Sequence, residues 1–483
     1  MTLNNRLPQN RKAFALALAV FGLYLFYMLS QVNFYLYRSL RETYYLVLVP
    51  VVVAGTLYFF RGKQLAYRLL LGYWIWFVLS RMLNHNPALT EDQYLWFDLS
   101  LMLPFFALGL VLDADGRRRF LDWLSAAVGG YHFILGLFAL SAFILNKYYV
   151  NPITEGHLGM IPGSRRITIL DYNANSTAFW FMTAFLLMVY QFFACRKKAW
   201  RWPIVLCALV NFATVAVTYT RSVRIALTIT LAMLASLAVR RHARVNRRLL
   251  ILLLVLIFLA SAALVYLSFG LITYTLTHLP FSAAASELQV SSGAALRSAR
   301  PIPAEAVPLR AVSPGAEEAM PPDIGDPSTH SAFYNRINDL STKRLEIYHC
   351  ALLTIRKDPM ILLRGCLSKD AMSVTNAILH RPETIAHFHN FLIQTLILTG
   401  LPGLLLVLAF CVLIVGRGLK LFFSPDPRLS TGVRTLALSP IAAILYAMFE
   451  SCLFTDLDIR CLFFFLMGGL MLGSYHDFFP ETK

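Results

Sequence analysis

Acidic residues are scarce in this chain. Asp and Glu together number 26 of 483 residues, and all charged residues make up 14%. So few charges exclude a soluble globule, whose surface needs about twice that share. Cysteine is sparse too: seven are scattered through the chain with no CxxC pair, which excludes the paired-thiol redox and zinc motifs. Cys350 and Cys366 fall in the same hydrophilic stretch, where they either pair or stay as two thiols. No internal repeat is visible, and that weighs against a transporter built from repeated halves. No cleavable leader is expected. The first apolar segment is span-length, lacks a small-residue cleavage site and is expected to remain as a helix.

What the chain has instead is apolar surface. Hydrophobic residues make up 58%, and mean hydropathy is +0.60. Apolar runs of about 20 residues recur, the length that crosses a bilayer core as helix. They fall at 12–30, 43–60, 65–84, 94–112, 119–145, 175–194, 203–220, 222–239, 249–277, 391–423, 434–453 and 460–476. The expected fold is an all-α polytopic membrane protein of about twelve transmembrane helices. The run at 391–423 is too long for one crossing. Gly400, Pro402 and Gly403 mark it as a short interfacial helix that breaks into a true span.

Three regions follow. Residues 1–279 form an N-terminal bundle of about nine helices. Residues 280–388 form one long extracytoplasmic loop, and 389–483 carry the C-terminal helices. Within the loop, 281–330 is rich in Ala, Pro, Ser and Gly and reads as a flexible insertion. Residues 335–388 read as partly helical. Leu345, Ile347, Tyr348, Ala351, Leu352 and Ile355 recur at helical spacing, which predicts an amphipathic helix over 341–356 that ends before Pro359.

The net charge of +17 suggests nucleic acid, but its distribution argues otherwise. Basic residues crowd alternate short loops, including Arg117, Arg118 and Arg119, then Arg196, Lys197, Lys198 and Arg201, then the run from Arg240 to Arg248. The loop 85–93 between such clusters has no Lys or Arg. This alternation places both termini in the cytoplasm. It puts 146–174, 220–224, 278–388 and 454–459 together on the outer face. The basic run in "DADGRRR" falls on the cytoplasmic side, so Asp113 and Asp115 are set aside as metal ligands.

Two helix mouths on that outer face hold chemistry. One, "HFHNFLIQTLILTGLPG", carries His387, His389, Asn390 and Gln394; the other, "TYTRSVRIAL", carries Arg221 and Arg224. Arginine is permanently charged and forked, suited to phosphate oxygens. Histidine has the proton affinity a general base needs near neutrality. Few carboxylates lie at the outer mouths (Asp171, Asp456 and Asp458), so no metal and no cofactor is expected. Glu450, deep in an apolar stretch, is costly unless paired and reads as a hydrogen-bonding group that supports either the structure or the site.

Four passages resemble the O-antigen ligase and O-antigen polymerase family of polytopic, GT-C-type glycosyltransferases. "RITILDYNANSTAF" carries Arg166, Asn173 and Asn175; "TYTRSVRIAL" carries Arg221 or Arg224; "KRLEIYHCALLTIRKDPMILLRGC" carries Arg344; "HFHNFLIQTLILTGLPG" carries His389 and Asn390. The chain departs from the family pattern at Ala174, Thr220 and Tyr348, where the family has proline, serine and tryptophan. The resemblance implies transfer of a glycan from a polyprenyl (undecaprenyl) pyrophosphate donor to an acceptor such as lipid A-core oligosaccharide. That reaction is expected to be inverting and metal-independent, at the outer face of a bacterial inner membrane. The alternative within the family is a polymerase that joins lipid-linked repeat units; outside it, a lipid-linked glycan flippase. His389, Arg221 and Arg344 are the expected catalytic residues. Arg166, Arg224, Asn173, Asn175, His387, Asn390 and Gln394 are expected at the substrate. The partners would be the lipid-linked donor, a glycan or glycolipid acceptor and the bilayer, with no nucleic acid.

Overall fold

The computed structural model describes residues 11–30, 64–84, 99–150, 157–160, 166–169, 174–242, 247–278, 344–366, 387–454 and 459–480. Long runs rich in leucine and alanine, both strong helix formers, give long helices. In chain order these are α1 (Arg11–Ser30), α2 (Leu65–Leu83), α3 (Met102–Val111) and α4 (Ala114–Ile144), then α5 (Ala174–Ala194), α6 (Arg201–Val217), α7 (Arg221–His242) and α8 (Arg247–Thr277). After them come α9 (Arg344–Lys357), α10 (Ile361–Arg364), α11 (Phe391–Phe423), α12 (Thr431–Thr435), α13 (Leu438–Ala447) and α14 (Ile459–Phe478).

Among the described residues, six helical stretches are long and apolar enough to cross a membrane: 114–144, 174–194, 198–217, 253–277, 391–423 and 460–478. Shorter apolar helices lie at 13–26, 102–111 and 431–447. The expected span at 434–453 is shorter than a full crossing: α12 and α13 meet at a two-residue turn, and the chain leaves helix after Ala447, ahead of Glu450. The expected span 43–60 and the insertion 281–330 lie outside the described residues.

The all-α expectation needs one correction. Three short strands, β1 (Tyr148–Val150), β2 (His157–Met160) and β3 (Ile167–Thr168), form an antiparallel sheet in the order β1-β2-β3. β-Branched and aromatic residues favour the pleat here, and the sheet delivers Arg166 to the end of the bundle where α5 begins.

Glycine sets the closest packing. The face Gly469 and Gly473 of α14 lies against Gly109 and Phe106 of α3, and a Cβ on any of these three glycines would collide with the opposite backbone. This is the small-residue crossing used where lipid leaves no hydrophobic gain for packing. Bulky side chains fill the rest of the interior, among them Phe105, Phe106, Phe410, Phe464 and Phe465.

The break in α11 forms at Gly400 (φ 69°, ψ −174°). Pro402 has no N–H to give to Leu398, and carbonyls near the break lose their helical partners. Neighbours take their place. Ser80 Oγ donates to Leu398 O at 3.3 Å, Trp76 Nε1 to Thr399 O at 2.6 Å, and Cys366 N to Ile397 O at 2.8 Å. Irregular backbone at membrane depth survives only when its polar groups are met in this way. The turn after α10 thus fills the kink, with Gly365 against Leu398. The expected amphipathic helix is present as α9, with Ile347, Cys350, Ala351 and Thr354 buried along one face. Cys350 and Cys366 are not joined in a disulfide.

Candidate functional site

Four helices begin at one end of the bundle, and each brings a polar residue in its first turn or at its cap. α5 brings Asn175, α7 opens on Arg221, α9 opens on Arg344, and α11 is capped by Asn390 directly after His389. The first turns of α5, α7 and α11 contain no acidic residue. Their helix dipoles therefore add to the arginine charge rather than being neutralised. Such an arrangement attracts an anion.

Glu450 joins these pieces. Its Oε1 accepts from Asn175 Nδ2 at 2.7 Å and from Arg344 at 3.0 Å. Its Oε2 lies 3.4 Å from His389 Nδ1. The Glu450 side chain is 4% exposed, Arg344 19% and His389 31%, so the carboxylate is the floor of the site while the imidazole and the guanidinium reach outward. A buried carboxylate is tolerable only with such a full set of donors. The tautomer with its proton on Nδ1 donates to this carboxylate and leaves the Nε2 lone pair as an acceptor.

The backbone at His389 is held in the left-handed region, φ 52°. A non-glycine residue there is strained by about 1–3 kcal/mol and stays only when its surroundings over-determine it. The surroundings are explicit. Tyr348 OH donates to His389 O at 3.3 Å, and Gln394 Oε1 accepts from Phe388 N at 2.9 Å. Asn390 Oδ1 accepts from Leu392 N and Ile393 N, while its Nδ2 donates to Met448 O at 2.8 Å. Asn390 and Gln394, expected at the substrate, direct these hydrogen bonds into the protein and fix the turn. Tyr219, two residues before Arg221, is also left-handed with φ 56°.

Arg166 donates to Thr218 O at 3.2 Å and to Asn175 Oδ1 at 2.7 Å. Burial pulls its guanidinium below the ordinary value first; Glu450 opposes this, while the like charges of Arg221 and Arg344 reinforce it. Three arginines thus share one electrostatic environment. Thr220 ties the α7 start to α5 by donating to Ala174 O at 3.1 Å. Arg224 differs. Its guanidinium lies over the rings of Tyr219, Tyr266 and Phe269 at 5.7, 5.7 and 5.2 Å, a cation–π setting that turns it toward α8. Asn173 lies outside the described residues.

His387 stacks edge-on against His389, ring centroids 4.1 Å apart. Burial first, and the His389 charge next, push its imidazole down to about 4. His387, His389 and Glu450 place ligand atoms within 4.8 Å of one another, a set that could hold a metal ion. Arg344 occupies the same carboxylate, however, so a dication there would meet a fixed positive charge.

Sequence reasoning placed Glu450 as a supporting group without seeing that it links three helices. Its one signal was a carboxylate inside an apolar run. Tyr348 was visible as one of the helix-spaced residues and as a departure from a motif, but not as a donor to the His389 carbonyl.

No curated protein matches the chain. Residues 206–408 match the family model described as O-antigen ligase. That stretch contains Arg221, Arg224, Arg344, His387, His389, Asn390 and Gln394, while Arg166, Asn175 and Glu450 lie to either side of it. From early in α6 to the middle of α11, the chain thus matches the O-antigen ligase family, within a helical membrane protein.

Proposed function

We propose that this protein is an O-antigen ligase-type glycosyltransferase. It moves a glycan from a polyprenyl (undecaprenyl) pyrophosphate donor to an acceptor such as lipid A-core oligosaccharide, at the outer face of the bacterial inner membrane. The observation that carries the reading is the contact of one buried carboxylate with both His389 and Arg344, beside Arg166 and the first residue of α7.

In this mechanism Arg221 and Arg344 neutralise the pyrophosphate, helped by the positive helix ends. The acceptor hydroxyl approaches His389. As its oxygen bonds to the anomeric carbon, the carbon–oxygen bond to pyrophosphate breaks and the hydroxyl proton passes to Nε2. The pyrophosphate leaves with the bonding pair, and configuration inverts in the single displacement. Glu450 holds the imidazole in the right tautomer and balances the imidazolium that forms. Arg166 and Asn175 orient Glu450. Arg224, held among aromatic rings, supports the helix pair α7 and α8, so the assignment of the phosphate contact favours Arg221. Positive charge comes from guanidinium groups, and no metal is required.

A defined lipid-linked glycan given to the purified protein, with and without lipid A-core, tests this. Glycosylated lipid A-core is expected. Elongated lipid-linked glycan instead would identify a polymerase. In sealed proteoliposomes, translocation of the intact donor with no bond cleavage would identify a flippase and overturn the reading.

A further inference from the structure

A second basic region lies at the opposite end of the same helices. α5 begins beside Asn175 at the site and runs 21 residues, about 30 Å, the thickness of a bilayer core. At its far end is a cavity of about 480 Å³, enclosed by the start of α4, the end of α5, the start of α6, α12 and the end of α14. The loop-charge pattern assigns this side to the cytoplasm.

The cavity has two kinds of wall. Leu121, Phe193 and Val433 give it apolar surface, and Arg118, Arg196 and Arg201 give it charge. Arg117 also borders it but is committed to Asp477 and to the Gly109 and Leu112 carbonyls. Arg201 donates one N–H to Cys195 O at 3.3 Å, while its Nε is buried with no hydrogen-bond partner among the described residues. A lining guanidinium carries more N–H donors than the one given to Cys195, which suits it to an acceptor oxygen. Asp115 is the one lining carboxylate outside the Arg117 pair, and it is exposed. Trp200 and Trp202, 62% and 78% exposed, flank the start of α6; exposed tryptophans of this kind sit at the headgroup level of a bilayer.

We propose that this cavity binds the phosphate headgroup of an anionic phospholipid. Arg118, Arg196 and Arg201 would take the phosphate oxygens, and the apolar wall would take the glycerol backbone and first acyl carbons. Basic pockets between helices on the cytoplasmic side recognise lipid in this way. The proposal does not depend on the chemistry at His389.

Native mass spectrometry of the full-length protein tests it, with phosphatidylglycerol and phosphatidylcholine of equal chain length as probes. Wild type should retain phosphatidylglycerol about tenfold better than phosphatidylcholine. Arg118→Ala combined with Arg196→Ala changes two exposed residues and should remove that preference. Arg201→Ala should do the same. Lys197→Ala combined with Lys198→Ala, equally basic but outside the cavity, should leave it intact. Equal retention of the two lipids by wild type would overturn the proposal. So would an equal loss in the lysine variant, which would indicate diffuse surface charge. Displacement of phosphatidylglycerol by millimolar inorganic phosphate would show a site for free phosphate instead.

Discussion

His389 and Glu450 meet across 61 residues of sequence, Nδ1 to Oε2 at 3.4 Å, with the histidine backbone held left-handed. The contact favours one imidazole tautomer and supplies a counter-charge, both of which the proposed general base needs in addition to its position. His389→Ala should lower turnover by about 10²–10⁴-fold while donor binding persists. Glu450→Gln should reduce kcat by about 10²-fold with a smaller change in donor KM. A wild-type rate in correctly inserted His389→Ala would remove the residue from the chemistry.

The two arginine types should respond differently to lysine. Arg221→Lys and Arg344→Lys keep the charge and lose the fork, so kcat/KM should fall on the order of tenfold or more. Arg224→Lys preserves a cation among Tyr219, Tyr266 and Phe269 and should retain most activity. Steady-state assays on the three variants compare them directly. Greater loss at Arg224 than at Arg221 would exchange their roles.

These outcomes bear on how much the sequence could convey. Hydrophobic run lengths located most of the helices, and Gly400 with Pro402 announced the break in α11, because both signals are local. The spacing of Ile347, Ala351 and their neighbours located α9 for the same reason. Convergence of the helix starts was legible only as a shared side of the membrane, inferred from loop charge. The junction at Glu450 was not legible, since three of its contacts span 61 to 275 residues and pairing at that range leaves no periodic trace. The strands that present Arg166 escaped notice because each has no more than four residues.

Chelation separates arginine from metal chemistry. Activity should survive exhaustive EDTA treatment, measured as product formed per enzyme before and after dialysis. Loss on treatment and recovery with magnesium or manganese would shift the positive charge onto a metal at His387, His389 and Glu450.

His387 supplies a pH signature of its own. Its ordinary value is 6.5 and its folded value about 4, so between these the unfolded chain binds the extra proton. Its contribution to stability is therefore present above pH 6.5 and is lost as pH falls toward 4. Thermal scans of the detergent-solubilised protein should show Tm falling over that window, and His387→Gln should flatten the fall. An identical slope in the variant would mean that other groups govern the acid sensitivity.

The order of the chain gives Glu450 a role in time as well as in space. A ribosome delivers Asn175, Arg344 and His389 to the membrane before the carboxylate that gathers them, 275, 106 and 61 residues later. Until then the imidazole lacks its counter-charge and the guanidinium its anchor. A nascent or truncated chain that ends ahead of residue 450 would hold every arginine of the site and still be unarmed, so competence arrives with the last helices to be inserted.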